Sequence, residues 1–158
     1  MKAIILYTSR HGCAEQAALA LRSRLGEGTE TVNLMHNYSP SLAGFDTVIL
    51  GGSIYYGKIQ KQMSEFIDRE QSGLADKRIG LYICAGESED KAGLELLRSF
   101  PESLCLKAKA AEVLGNEVKF SKLSLAERLV YRAVTGKSGD RGRLYTNRIE
   151  NFVFKLLR

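Results

Sequence analysis

Three short segments carry the residue types that could do chemistry. The first, Ser9-Arg10-His11-Gly12-Cys13-Ala14, follows the apolar run Ile4-Ile5-Leu6-Tyr7 and precedes a strong helix former, Glu15 to Leu21. It reads as a buried strand, a tight turn and a helix start. The first turn of a helix leaves backbone N–H groups unpaired and carries the positive end of a dipole, so it suits an anion such as phosphate. Ser9 adds a hydroxyl, and Arg10 or His11 adds charge. A strand–turn–helix with a glycine is also generic to α/β chains, so this segment alone does not decide that anything binds.

The second segment is Gly51-Gly52-Ser53-Ile54-Tyr55-Tyr56-Gly57-Lys58. Its glycines let backbone approach a ligand closely, Ser53 can donate a hydrogen bond, and Tyr55 and Tyr56 offer a flat face to a ring. The plainer alternative is a hairpin-like loop with partly buried tyrosines. The third segment, Ala85-Gly86-Glu87-Ser88-Glu89-Asp90, has no aromatic residue, and its acids suit an exposed first helical turn. Cys13 lies near a helix start, where a thiol tends towards thiolate. Packing, or a backbone contact to phosphate, is its expected use.

The elements that must position these segments alternate. Lys2–Tyr7, Glu30–Leu34, Asp46–Gly51, Arg78–Cys84 and Lys107–Leu114 read as strands. Cys13–Leu25, Gln60–Glu70, Lys91–Phe100, Leu123–Val134 and Tyr145–Leu157 read as helices. Short apolar runs separated by helices mean strands covered on both faces, hence a parallel sheet. In such sheets ligands sit outside the carboxyl ends of the strands, where the winding reverses. That rule selects the same three segments. Within Leu123–Val134, Leu125, Leu129 and Val130 recur at core-like spacing. Gly136–Gly142 reads as a mobile loop.

The chain of 158 residues, 44% apolar and 26% charged, fits one globular domain. Three scattered cysteines and two distant histidines argue against a disulfide frame, a dithiol redox pair and a metal site. No apolar stretch is long enough to span a bilayer, and no signal peptide is evident, so a cytoplasmic location is expected. A phospho-receiver is excluded, because Thr8-Ser9 and Gly51-Gly52 stand where it needs acids. Nucleic acid is not an expected partner. The charge is uneven: residues 1–114 hold 13 Lys/Arg and 14 Asp/Glu, whereas residues 115–158 hold 10 and 4, a net of −1 against +6. A basic segment seeks phosphate, carboxylate or an anionic surface. A solvated helix face explains Lys119, Lys122, Arg128 and Arg132 as well.

The first segment resembles the phosphate loop of flavodoxins, roughly Ser/Thr-x-Thr-Gly-x-Thr. Ser9 and Gly12 match, while His11 and Ala14 stand where hydroxyl residues are usual. With Gly52-Ser53-Ile54-Tyr55-Tyr56-Gly57 and the late segment Val118–Leu144, the chain is similar over nearly its full length to flavodoxin-domain proteins of the menaquinone-dependent protoporphyrinogen oxidase (dehydrogenase) type. The resemblance implies a flavodoxin-like doubly wound sheet of five parallel strands in three α/β/α layers, with a basic extension at about 116–144 before the last helix. It implies FMN, held by Ser9 through Ala14, by Ser53 through Gly57, and by Ala85, Gly86 and Glu87. One ring face is then open, since only the second segment has aromatics. The acids of the third segment would lower the potential of a reduced flavin. No catalytic residue is assigned. The implied partners are a quinone, a porphyrinogen or an electron-transfer protein, with Lys119–Arg143 available for peripheral membrane contact. Tyr55 replaces the Arg common in porphyrin-acting members, which puts propionate recognition in doubt. The competing expectation is a non-catalytic binding module of the same fold that has lost flavin and engages an anionic partner.

Overall fold

The computed structural model describes the chain except residues 11, 56, 87–88, 119–122 and 137–140, with backbone alone at 89, 117, 118, 135, 141 and 142. In order it forms β1 (Ala3–Thr8), α1 (Cys13–Leu25), β2 (Thr29–Asn33), β3 (Thr47–Tyr55), β4 (Lys58–Ile59), α2 (Lys61–Arg69) and α3 (Gln71–Leu74). Then come β5 (Arg78–Cys84), α4 (Glu89–Ser99), α5 (Glu102–Lys107), β6 (Ala110–Val118), α6 (Leu125–Thr135), β7 (Arg141–Leu144) and α7 (Thr146–Leu157).

Five strands are parallel in the order β2-β1-β3-β5-β6, the expected doubly wound core. The winding reverses between β1 and β3, so the chain leaves these neighbouring strands towards opposite faces. Alternate side chains of each strand reach opposite faces, and both faces are covered, which is why the strands read as continuous apolar runs. Ile5, Tyr7, Ile49 and Tyr82 meet α1 and α7 on one face, where Ala14, Ala17 and Ala18 bring α1 close. Leu6, Leu50 and Leu81 meet α2 to α5 on the other, with Met63 and Phe66 fully buried.

The sheet departs from the sequence-based expectation in three places. Residues 102–107 are helical after Pro101, so the fifth parallel strand begins at Ala110 and runs on to Val118 rather than covering Lys107–Leu114. β3 continues through Tyr55 and turns back antiparallel into β4, pairing Tyr55 with Lys58. The second segment is therefore a β-hairpin arm, the plainer alternative for it, reached by a strand longer than expected. β7 adds an antiparallel strand against β6, where Gly136–Gly142 was expected to be a mobile loop; residues 137–140 of that loop lie outside the described ones.

The α1 face holds the tightest fit. The register places Tyr7, Gly51 and Tyr82 side by side on β1, β3 and β5. The fully buried Tyr82 ring lies across Gly51, where a Cβ would come within 2.0 Å of its Cε1. The Tyr82 hydroxyl donates to the Ala14 carbonyl at 2.8 Å. The ring cannot swing away without losing that bond. Gly51→Ala is therefore expected to destabilise the fold by about 3 kcal/mol or more, at the upper end for overpacking. A shift in the urea midpoint measures it, and a wild-type midpoint would show that the ring has room to move.

Candidate functional site

The start of α1 is built by small residues of the β1–α1 turn and of β1 and β3. Gly12 caps the helix with φ 98°, a left-handed conformation that strains any residue with a Cβ. The Ser9 hydroxyl oxygen accepts from the Gly12 N–H at 3.0 Å. From β3, the buried Ser53 hydroxyl oxygen accepts from the Ala14 N–H at 3.4 Å. A hydroxyl that accepts an N–H keeps its own proton to donate. Thr8, at the end of β1, is buried, and its Oγ1 has no hydrogen-bond partner. Gly52 lies beside it, and a Cβ there would meet Thr8 Oγ1 at 2.7 Å and Ile59 Cγ1 at 2.8 Å. The glycine pair that reads as room for a ligand thus makes room for neighbouring side chains, Tyr82 at Gly51 and Thr8 with Ile59 at Gly52.

Backbone N–H groups at a helix start and two serine hydroxyls with protons to spare meet at the switch between β1 and β3. A third hydroxyl is buried without a partner at the end of β1. The donor set suits a group with several anionic oxygens, as a phosphate ester has. Cys13 is buried, its Sγ packed over Gly115 of β6 and 3.2 Å from where a Cβ would stand. That is a packing contact between α1 and β6. Ala14 is fully buried, so it offers an N–H rather than a side chain. Arg10 is exposed, and its guanidinium lies 3.7 Å from the Glu127 carboxylate of α6. Such a surface pair contributes at most about 1 kcal/mol. It does place α6 beside the site.

Ile54 and Tyr55 are half-buried on the hairpin arm, and Gly57 is exposed in its turn at φ 76°. Ala85 is buried and donates its N–H to Gly115 O at 3.1 Å, while Gly86 is exposed. Glu89 and Asp90 fall in the first turn of α4, which begins two residues earlier than expected. His11, Tyr56 and Glu87 lie outside the described residues.

Tyr82, Tyr7 and Glu127 escaped the sequence reading, and Thr8 entered it only as the first residue of the Thr8–Ala14 loop. Only Tyr82 left a trace: glycine inside the apolar run of β3 is the mark of a bulky side chain crossing from a neighbour. Glu127 meets Arg10 through tertiary packing that no local pattern announces.

A flavodoxin domain family model matches residues 4–143, and the chain belongs to that family. Among solved structures it is similar to the rubredoxin oxygen:oxidoreductase of the anaerobe Desulfovibrio gigas, at TM-score 0.53 and 15% identity. That likeness covers 99% of this chain but 36% of the other, so the chain spans about a third of its length. A Bacteroides eggerthii protein described as a flavoprotein matches at TM-score 0.53 and 16% identity over 86% of this chain and 99% of its own. Oxidised Flavodoxin 1 of Bacillus cereus matches at TM-score 0.50 and 21% identity, over 72% and 80%. These likenesses show the flavodoxin-like fold. No curated protein matches the chain in sequence.

Burial, and then the Glu15 carboxylate that hydrogen-bonds it, push the Tyr7 phenol up to about 12. Its folded pKa lies above the unfolded value of about 10, so its contribution is whole below pH ~10 and is lost as pH rises towards 12. Wild type should lose stability across that interval, and Tyr7→Phe should lose less of it. Urea midpoints at a series of alkaline pH values test this; parallel losses in the two proteins would remove Tyr7 from the account.

Proposed function

We propose that this chain binds FMN at the carboxyl edge of its sheet and works as a redox protein, either an oxidoreductase or an electron carrier. The observation that carries this is the pair of serine hydroxyls, Ser9 and Ser53, closing on the Gly12 and Ala14 N–H groups at the start of α1. In this reading the backbone of Arg10 through Ala14 holds the phosphate, with Ser9 and Ser53 turning their protons towards it. The hairpin arm, through Ile54, Tyr55, Tyr56 and Gly57, lies along the ring, with a tyrosine against one face. Ala85 and Gly86 approach from the end of β5, and Glu87, which follows them, lies outside the described residues. Bound FMN supplies one- and two-electron transfer; the chain supplies binding, orientation and one open ring face.

The finer reading follows the resemblance to protoporphyrinogen dehydrogenases that pass electrons to quinone. The chain would then meet a porphyrinogen, a quinone or an electron-transfer protein, working in the cytoplasm and against the membrane surface. Tyr55 weakens the porphyrinogen option, since no Arg stands there for a propionate. The basic segment Lys119–Arg143 supports an anionic counterpart, because exposed charge speeds encounter at low salt; its Lys119 and Lys122 lie outside the described residues.

Titration of the purified chain with FMN, followed through the flavin absorption bands, tests the reading. Saturable uptake is expected. Gly12→Val should weaken it at least about tenfold, because a β-branched residue is strained at that φ and blocks the backbone's approach. Tyr55→Ala and Tyr56→Ala, made singly, should cost about 1 kcal/mol in at least one case. A folded wild type that takes up no FMN would leave the other reading, a flavodoxin-fold module that binds an anionic partner without redox chemistry. Wild-type affinity in Gly12→Val would move the phosphate elsewhere.

A further inference from the structure

α6 is turned inside out. It is a formed helix, opened by the Ser124 hydroxyl, which accepts from Glu127 N–H at 3.2 Å, and closed by Gly136 at φ 68°. At 100° per residue, Leu125, Ala126, Leu129, Val130, Ala133 and Val134 share one half of its surface. That half faces solvent: Leu125 is 77%, Leu129 68% and Val134 76% exposed. The half-buried residues are Glu127, Arg128 and Tyr131. The core-like spacing of Leu125, Leu129 and Val130 therefore does not mark a core face.

Charge identifies what covers this face. Arg132 is exposed along one edge of it, and the only acid of α6, Glu127, is turned towards Arg10 on the opposite side. The segment holding α6 carries the chain's whole basic excess, 10 Lys/Arg against 4 Asp/Glu over residues 115–158. A second copy would set this positive region against its own like, which opposes association. An anionic bilayer answers both features, since apolar side chains enter the boundary between headgroups and acyl chains while arginines meet lipid phosphates. No helix among the described residues is long and apolar enough to cross a membrane. The 11 residues of α6 suffice to lie along its surface.

We propose that α6 is an interfacial helix that lays its Leu125, Leu129 and Val134 face into an anionic phospholipid bilayer. This deepens the peripheral-contact reading of the basic segment, on which it rests, by adding an apolar contact that charge alone does not provide. It is independent of FMN. The Arg10–Glu127 pair sets the helix beside the start of α1, so docking by α6 brings the candidate site to the membrane surface.

The test is co-sedimentation of the full chain with phosphatidylcholine vesicles, with and without phosphatidylglycerol, at low and high salt. Binding is expected to the anionic vesicles, with a fraction that survives high salt. Leu125→Ser with Leu129→Ser should lower the partition at least about tenfold, from the loss of two buried leucines. These side chains are exposed, so the melting temperature should hold. Leu106→Ser, equally exposed on α5, should leave binding unchanged and so separates this face from general surface hydrophobicity. A wild type that binds no vesicles overturns both the helix proposal and the charge reading. A double variant that binds like wild type, with salt removing all of it, overturns the helix proposal and leaves charge alone. A wild-type dimer that the double variant breaks, in a chain that ignores vesicles, assigns the face to a second copy instead.

Discussion

The contact on which the rest depends is one tyrosine crossing one glycine. Tyr82 rises from β5, passes over β3 where Gly51 has no side chain, and donates a hydrogen bond to the Ala14 carbonyl in the first turn of α1. It ties the middle of the sheet to the start of the helix, through a buried bond whose loss would strand a polar hydroxyl among apolar groups. With the first turn of α1 fixed in this way, Ser53 on β3 reaches the Ala14 N–H, and Ser9 closes on Gly12. The candidate anion site is thus a by-product of core packing one layer below it.

Two electrostatic influences oppose each other at that turn. The helix start and its N–H groups favour an anion, while Glu15 places a carboxylate in the same first turn. The opposition is reduced because Glu15 is hydrogen-bonded to Tyr7. Arg10 is likewise engaged with Glu127. Among the described residues, what is left to meet an anion is mainly backbone and hydroxyl, which hold a phosphate by direction rather than by net charge. Of the two departures from the flavodoxin pattern, His11 lies outside the described residues. Ala14 fits this balance, because its N–H is donated to Ser53 on β3, whose hydroxyl keeps its own proton to donate.

Much of the fold was legible in the sequence, because burial on both faces imprints itself as uninterrupted apolar runs. β5 and α1 have the expected limits, and the parallel order follows from the alternation of strands and helices. What failed to show has a common physical origin. The glycines of β3 read as room for a ligand, yet they answer to Tyr82, Thr8 and Ile59, partners that only strand register brings alongside. The same glycines leave an open loop and the hairpin of β3 and β4 equally readable from sequence. β7 hid because a polar, Arg-rich edge strand that pairs on one side has no apolar signature. The site itself was half legible: Ser9, Gly12 and Ser53 stand out as local chemistry, whereas Thr8 acquires its meaning from burial at the strand end.

α6 shows the limit of amphipathic pattern most clearly. A stripe of leucine and valine says that a helix has an apolar partner, but it does not say that the partner is the rest of the chain. Here Glu127, Arg128 and Tyr131 take the inner side, with the Glu127 carboxylate 3.7 Å from the Arg10 guanidinium. α6 follows β6 on the far side of the sheet from β2, and its inner side faces the loop after β1. Turning the leucines inward would expose Tyr131 and release Glu127 from Arg10. The orientation thus keeps a carboxylate beside the cation of the turn and leaves the apolar stripe outward, at the edge where β1 and β3 end.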